Sequence, residues 1–136
     1  MTNLPRKLPP ALANDHNRRV LAKIAESSVP ADLSDLLQSA VKPLGEVQLY
    51  CPDLPKYHYV VASTRHVIFG FAIARNTLAF RLDPRCRPQA LASGGSAFPA
   101  CGRDWVKFTP LRDDQPWTDF RFWALKAYAY ARELGD

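Results

Sequence analysis

The chain has 136 residues, 47% of them hydrophobic and 23% charged, the size and balance of one small globular domain rather than of a disordered segment. Its net charge of +5 gives long-range attraction for anions without choosing among nucleic acid, a membrane surface and an acidic protein. The longest apolar run, Val67–Ala74, is eight residues, far short of the roughly 20 that a spanning helix needs, so no membrane partner is expected.

Pro5, Pro9 and Pro10 deny the backbone regular donors and predict a flexible N-terminal arm over 1–10, with a single α+β domain over 11–136. No apolar stretch of secretory type follows Arg6 and Lys7. Three cysteines, Cys51, Cys86 and Cys101, are odd in number and irregularly spaced, which suits free thiols in a reducing compartment. A cytoplasmic protein is therefore expected.

Asn14 is a fair helix cap, and Asn17, Val20, Leu21 and Ile24 follow at helical spacing, predicting a helix over 14–27. Pro30 breaks it. A second helix is predicted from about Asp32, with Leu33, Leu36, Leu37, Ala40 and Val41 as its apolar stripe and Pro43 and Gly45 as its stop.

Beyond Gly45 the period becomes two. Val47, Leu49 and Cys51 share one face of a half-exposed strand, and Tyr57–Ser63 is rich in aromatic and β-branched residues, as a second strand should be. His66–Ala74 and 77–82 read as a hairpin turning through Arg75 and Asn76. The first of these is apolar on both faces, as a central strand covered on both sides would be, and its Gly70 leaves room for a bulky neighbour. In the other, Leu78, Phe80 and Leu82 point inward, while Thr77, Ala79 and Arg81 are expected on a solvated face.

Residues 83–103 are punctuated by proline and glycine and are too long for a plain connection, with a short helix read at Pro88–Ser93. Trp105–Phe108 predicts a fifth strand. Pro116 opens a last helix to about Leu134, on which Phe120, Trp123, Ala124, Ala127, Tyr128 and Ala131 form one stripe. The expected fold is α+β: about five mostly antiparallel strands, with two N-terminal helices and one C-terminal helix packed on the same side of the sheet.

No motif fixes a reaction, a metal or a cofactor, and none of these is expected. A zinc site would need paired cysteines, yet 14 residues separate Cys86 from Cys101. Cys51 with His58 or His66 is the one thiol and imidazole pairing that neighbouring strands could form. There is no G-x-S-x-G elbow, and Ser93–Ser96 lacks the lysine of a phosphate loop. Asp113 and Asp114 read as a helix cap, and His16 as a solvated side chain.

Two features point to function. Arg65, His66, Arg81, Arg85, Arg87 and Lys107 are candidate anion-binding residues in a stretch where basic groups, Arg75, Arg103 and Arg112 among them, outnumber acids. Tyr50, Tyr57 and Trp105 are candidate stacking partners if the ligand is nucleic acid. Phe122 and Tyr130, beside the main stripe of the last helix, are candidate protein-interface residues.

The leading expectation is a non-enzymatic protein-binding or regulatory module that meets a protein partner or a second copy of itself through the last helix or the arginine-bordered segment 83–104. The first alternative is nucleic-acid binding on an arginine-rich sheet face. The second is a small enzyme or ligand-binding protein acting on an anionic substrate at the Ser63–His66 turn.

Overall fold

The computed structural model describes residues 10–12, 14–25, 34–50, 60–73, 77–108 and 118–135. A single 3₁₀ turn, Pro10–Leu12, precedes α1 (Asp15–Ala25) and α2 (Ser34–Val41). Four strands follow: β1 (Gln48–Tyr50), β2 (Val60–Thr64), β3 (Val67–Ile73) and β4 (Thr77–Arg81). Then come α3 (Arg87–Ala92), β5 (Ser96–Ala97), β6 (Trp105–Phe108) and α4 (Thr118–Leu134). The strands form one antiparallel sheet in the order β1-β2-β3-β4-β6-β5. The fold is α+β, as the order of elements predicts, with one strand more than expected: β5 is two residues at the edge, too short to show alternation.

β3 lies inside the sheet, and a bulge explains how it serves two cores. Ala62 pairs with Gly70 while Ser63 pairs with Ile68, so Phe69 is an extra residue on β3, which resets the alternation of side chains. Val67, Phe69 and Ala72 join Leu78, Phe80 and Leu82 in a core closed by α2 and α4, and Ile68 and Phe71 join Ala79 and Trp105 on the opposite face. On the first face Phe108 packs among Phe80, Phe120 and Trp123, with centroids 5.8–6.2 Å apart. A fully buried phenylalanine of this kind stabilises the fold by about 1.5–3 kcal/mol. Every residue of the predicted α4 stripe is buried except Tyr128, which is half-buried. Gly70 lies against the Phe80 ring, where an added Cβ would stand 3.1 Å from Cδ1, so this glycine does admit a bulky neighbour.

The two N-terminal helices do not share a face. α2 packs with α4, but α1 lies on the opposite side against β3, where Val20 meets Ile68, Phe71, Phe98 and Cys101. The expected solvated face of β4 is therefore covered: Ala79 is fully buried and Arg81 is 7% exposed. α1 is held there by hydrogen bonds as well as by packing. Asn14 Oδ1 accepts from the Asn17 backbone N–H at 3.0 Å, the predicted cap, and both asparagine side chains donate to the His66 carbonyl.

The β2–β3 turn has positive φ at both central residues, Arg65 (48°) and His66 (64°), the signature of a type I′ hairpin that favours Asn-Gly. Side chains at such positions are strained. Replacing the pair by Asn-Gly is expected to raise stability by about 1 kcal/mol, measured by urea denaturation. An unchanged or lower midpoint would show that the surrounding contacts of Arg65 and His66 outweigh the strain.

A second close approach is at Gly95, whose added Cβ would sit 2.6 Å from Val106 Cγ1 and 2.9 Å from the Ala90 carbonyl oxygen. Both neighbours are buried in the core. Gly95→Ala is expected to cost about 1–2 kcal/mol by overpacking, seen as a lower thermal midpoint.

The predicted turn at Arg75 and Asn76, the Asp113–Asp114 cap, Pro116, Arg112, Cys51, Tyr57, His58 and all of the predicted 1–10 arm except Pro10 lie outside the described residues, as does the side chain of His16. No helix among the described residues is long and apolar enough to cross a membrane.

Candidate functional site

Among the described residues, two hollows gather charged side chains. The larger, about 550 Å³, is lined by Asp15, Arg19, Arg81, Pro84, Arg87, Cys101, Gly102, Arg103, Asp104 and Trp105. Its size falls within the range of small-molecule sites. Its residues come from the first turns of α1, the end of β4, the start of α3 and the turn that enters β6.

Local chemistry builds each wall. Leu82 N–H donates to the Asp104 carbonyl at 2.8 Å and Phe98 N–H to the Trp105 carbonyl at 3.0 Å, which fixes the turn carrying Arg103 and Asp104 beside the end of β4. Cys86 N–H donates to the Asp83 carbonyl and Ala90 N–H to the Cys86 carbonyl, and Pro88 at the helix start suits a position where no backbone donor is needed. This presents Arg87 at the first residue of α3.

Arg81 is the most buried charge of the group. Its Nε lies 3.5 Å from Asp104 Oδ2, and its guanidinium stands 5.9 Å from the centroid of the Tyr130 ring. Tyr130 OH donates to the same Asp104 oxygen at 2.8 Å, so a residue of α4 anchors the cleft to the helix that covers the opposite core. Arg19 and Arg103 are exposed at the mouth, Arg87 is half-buried, and among the described residues its Nε is buried with no hydrogen-bond partner. Asp15 is held by Arg18 at 3.6 Å.

Burial, then donation to Asp104, pushes the Tyr130 hydroxyl up to about 12. The folded protein thus keeps this proton where an unfolded tyrosine, near 10.0, loses it. The contribution to stability is complete below pH 10 and is lost as pH rises towards 12. An ultraviolet titration of wild type minus Tyr130→Phe is expected to show a phenol with its midpoint near pH 12, and a midpoint near 10 would remove the assignment.

The smaller hollow, about 280 Å³, is lined by Leu12, Glu46, Gln48, Tyr50, Ser63, Arg65 and His66. It places Arg65 and His66 together with a carboxylate, Glu46. The hydroxyls beside them are committed to backbone carbonyls, however: Thr64 Oγ1 donates to Glu46 O at 2.9 Å and the buried Ser63 Oγ to Gln48 O at 3.5 Å. Arg65 donates to the Arg132 carbonyl. Arg132 also bonds the Glu46 carboxylate and holds it below its usual range.

Of the six predicted anion-binding residues, the structure brings Arg81 and Arg87 into the larger cleft and Arg65 and His66 into the smaller hollow. Arg85 lines neither; it pairs with Asp83 at 2.6 Å and holds that carboxyl below its usual range through hydrogen bonds. Lys107 shares the face of Arg81 but lies over the Phe98 ring, 5.1 Å from its centroid. Among the described residues no open arginine stripe crosses the sheet, and Trp105, proposed as a stacking partner, is 2% exposed and packed on Phe71.

Phe122 is 40% exposed on α4, whereas Tyr130 is half-buried and bonded to Asp104. The sequence pattern gives Arg19, Asp15 and Asp104 no role. Compared with known proteins, the chain matches no family model, no curated protein and no solved structure.

Proposed function

We propose that the protein is a non-enzymatic binding module whose working surface is the arginine-bordered segment 83–104 together with the first turns of α1, and that it recognises an anionic group. The observation that carries this is the convergence of Arg19, Arg81, Arg87 and Arg103 on one cleft. These residues are far apart in the chain, and guanidiniums gathered at one concave surface are suited to bidentate recognition of carboxylate or phosphate oxygens. The odd number and irregular spacing of the cysteines support the expectation of a reducing, cytoplasmic setting.

Isothermal titration with sulfate tests the reading. One ion per chain is expected, weakened at least tenfold in Arg19→Met/Arg87→Met while the circular dichroism spectrum is retained. Binding that is absent, or equal in both proteins, would dismiss the cleft as the site.

A second reading, association of two copies through α4, is favoured by Phe122 and by Leu125, which is 49% exposed on the same helix. Light scattering that shows a dimer, converted to monomer by Leu125→Glu, would support it. A wild-type monomer would dispose of it.

A further inference from the structure

Building on the anion-binding reading of the large cleft, we propose that its ligand is a small phosphate monoester, with the phosphate held among Arg81, Arg87, Arg19 and Arg103. The charge of the lining points to a dianion. Four guanidiniums face two carboxylates, which leaves a surplus of two positive charges. A phosphate monoester carries about −1.5 to −2 at neutral pH and three strong acceptor oxygens, whereas a simple carboxylate carries a single charge and would leave part of the surplus without a counter-ion in a partly dehydrated cleft.

Hydrogen-bonding capacity points the same way. Arg81 is oriented by Asp104, and Asp104 by Tyr130, so the innermost guanidinium is fixed before any ligand arrives. Arg87 presents a buried Nε that has no acceptor among the described residues. A buried guanidinium N–H without an acceptor is costly, so a turn of the Arg87 side chain into the cleft, where a ligand oxygen would satisfy it, is favoured once an anion is bound. Arg19 and Arg103, exposed at the mouth, can close over the remaining oxygens with little strain.

The cleft also has room for more than a phosphate. At about 550 Å³, with Pro84, Gly102, Cys101 and the edge of Trp105 in its lining, it can house a compact organic body beside the charged group. A nucleic-acid strand fits poorly, because strand-tracking grooves add exposed rings for the bases and Trp105 is buried.

Isothermal titration with inorganic phosphate, sulfate and acetate between pH 5 and 8 tests the assignment. A phosphate monoester passes from monoanion to dianion near pH 6 and inorganic phosphate about one unit higher, while sulfate remains a dianion throughout. The groups facing the ligand among the described side chains are the four arginines, Asp15, Asp104 and Cys101, with Tyr130 behind Asp104; no histidine is among them, and sulfate reports any change in the protein itself.

The affinity for inorganic phosphate is expected to rise about tenfold from pH 5 to pH 8 while that for sulfate stays level and acetate binds at least tenfold more weakly. Glycerol phosphate should bind at least as well as phosphate. Arg87→Lys, which keeps the charge but lacks Nε, should weaken phosphate about tenfold.

If neither sulfate nor phosphate binds, the anion-binding reading itself falls. If acetate equals sulfate and phosphate shows no rise with pH, the cleft binds anions but the dianion assignment is overturned. A phosphoserine peptide binding more than tenfold tighter than glycerol phosphate would overturn the small-molecule assignment and point to a protein partner.

Discussion

Replacing Asn17 by alanine is expected to lower stability by about 3 kcal/mol, a fall in thermal midpoint on the order of 10 °C for a chain of this size. The Asn17 side chain is 1% exposed and makes three hydrogen bonds to backbone. Its Nδ2 donates to the carbonyls of Leu12 and His66, each at 2.9 Å, and its Oδ1 accepts from the Ile68 N–H at 3.0 Å. Alanine would leave these groups where water reaches them poorly, and an unmade buried hydrogen bond costs roughly 1–3 kcal/mol. The sum is discounted because the His66 carbonyl keeps its bond from Asn14.

Asn17→Asp should be worse than alanine at neutral pH, since a carboxylate offers no donor to two carbonyls, and should recover partly on acidification as it takes up a proton. Because α1 carries Asp15 and Arg19, loosening its anchor should also weaken sulfate binding. Denaturation midpoints and calorimetry on the same samples measure both effects. A loss under 1 kcal/mol would mean that packing of Val20, not the amide, positions α1.

Asn17 also shows what could be read from the sequence and what could not. Its place among Val20, Leu21 and Ile24 put a polar amide on the inner stripe of a helix, and a buried amide requires backbone partners. Which backbone it meets depends on the face α1 occupies, and that is decided by Ile68, Phe71 and Phe98, more than forty residues away. The same limit applies to Arg81. Alternation assigned it correctly to the face of Ala79, but the cover on that face comes from Val20 and Cys101, which no local pattern reveals.

Elements whose signal is local came through better. Trp105–Phe108 and the Phe120–Ala131 stripe are set by periodicity and match the structure. The Arg65–His66 turn carries neither the asparagine nor the glycine its positive φ calls for, so composition could not announce its geometry. The cleft was legible in half its arginines. Arg81 and Arg87 stand out by charge density, while Arg19 carries no signal in the sequence, because only the packing of α1 on the sheet brings it to the others.

Asp104→Asn is expected to move binding and stability in opposite directions. The carboxylate is an acceptor for Tyr130, a counter-charge for Arg81 and part of the cleft wall. The amide oxygen left by the substitution can still accept from Tyr130, so the loss is chiefly the charge. Removing one partner of a fully buried ion pair costs about 3–5 kcal/mol. Here the carboxylate is 22% exposed and Arg81 has interactions beyond this pair, so a cost of about 1–2 kcal/mol is expected.

The lining surplus meanwhile rises by one positive charge and a repulsion towards any bound anion is removed. At an effective dielectric of about 20–40, that repulsion is worth roughly 1–2 kcal/mol at cleft distances, or about a tenfold gain in sulfate affinity. Thermal melting without ligand should place the variant below wild type, and saturating sulfate should narrow the gap, because the tighter binder gains more from the same ligand concentration. If the variant instead loses both stability and affinity, Asp104 acts mainly by aiming Arg81 at the ligand, and orientation rather than net charge governs the cleft.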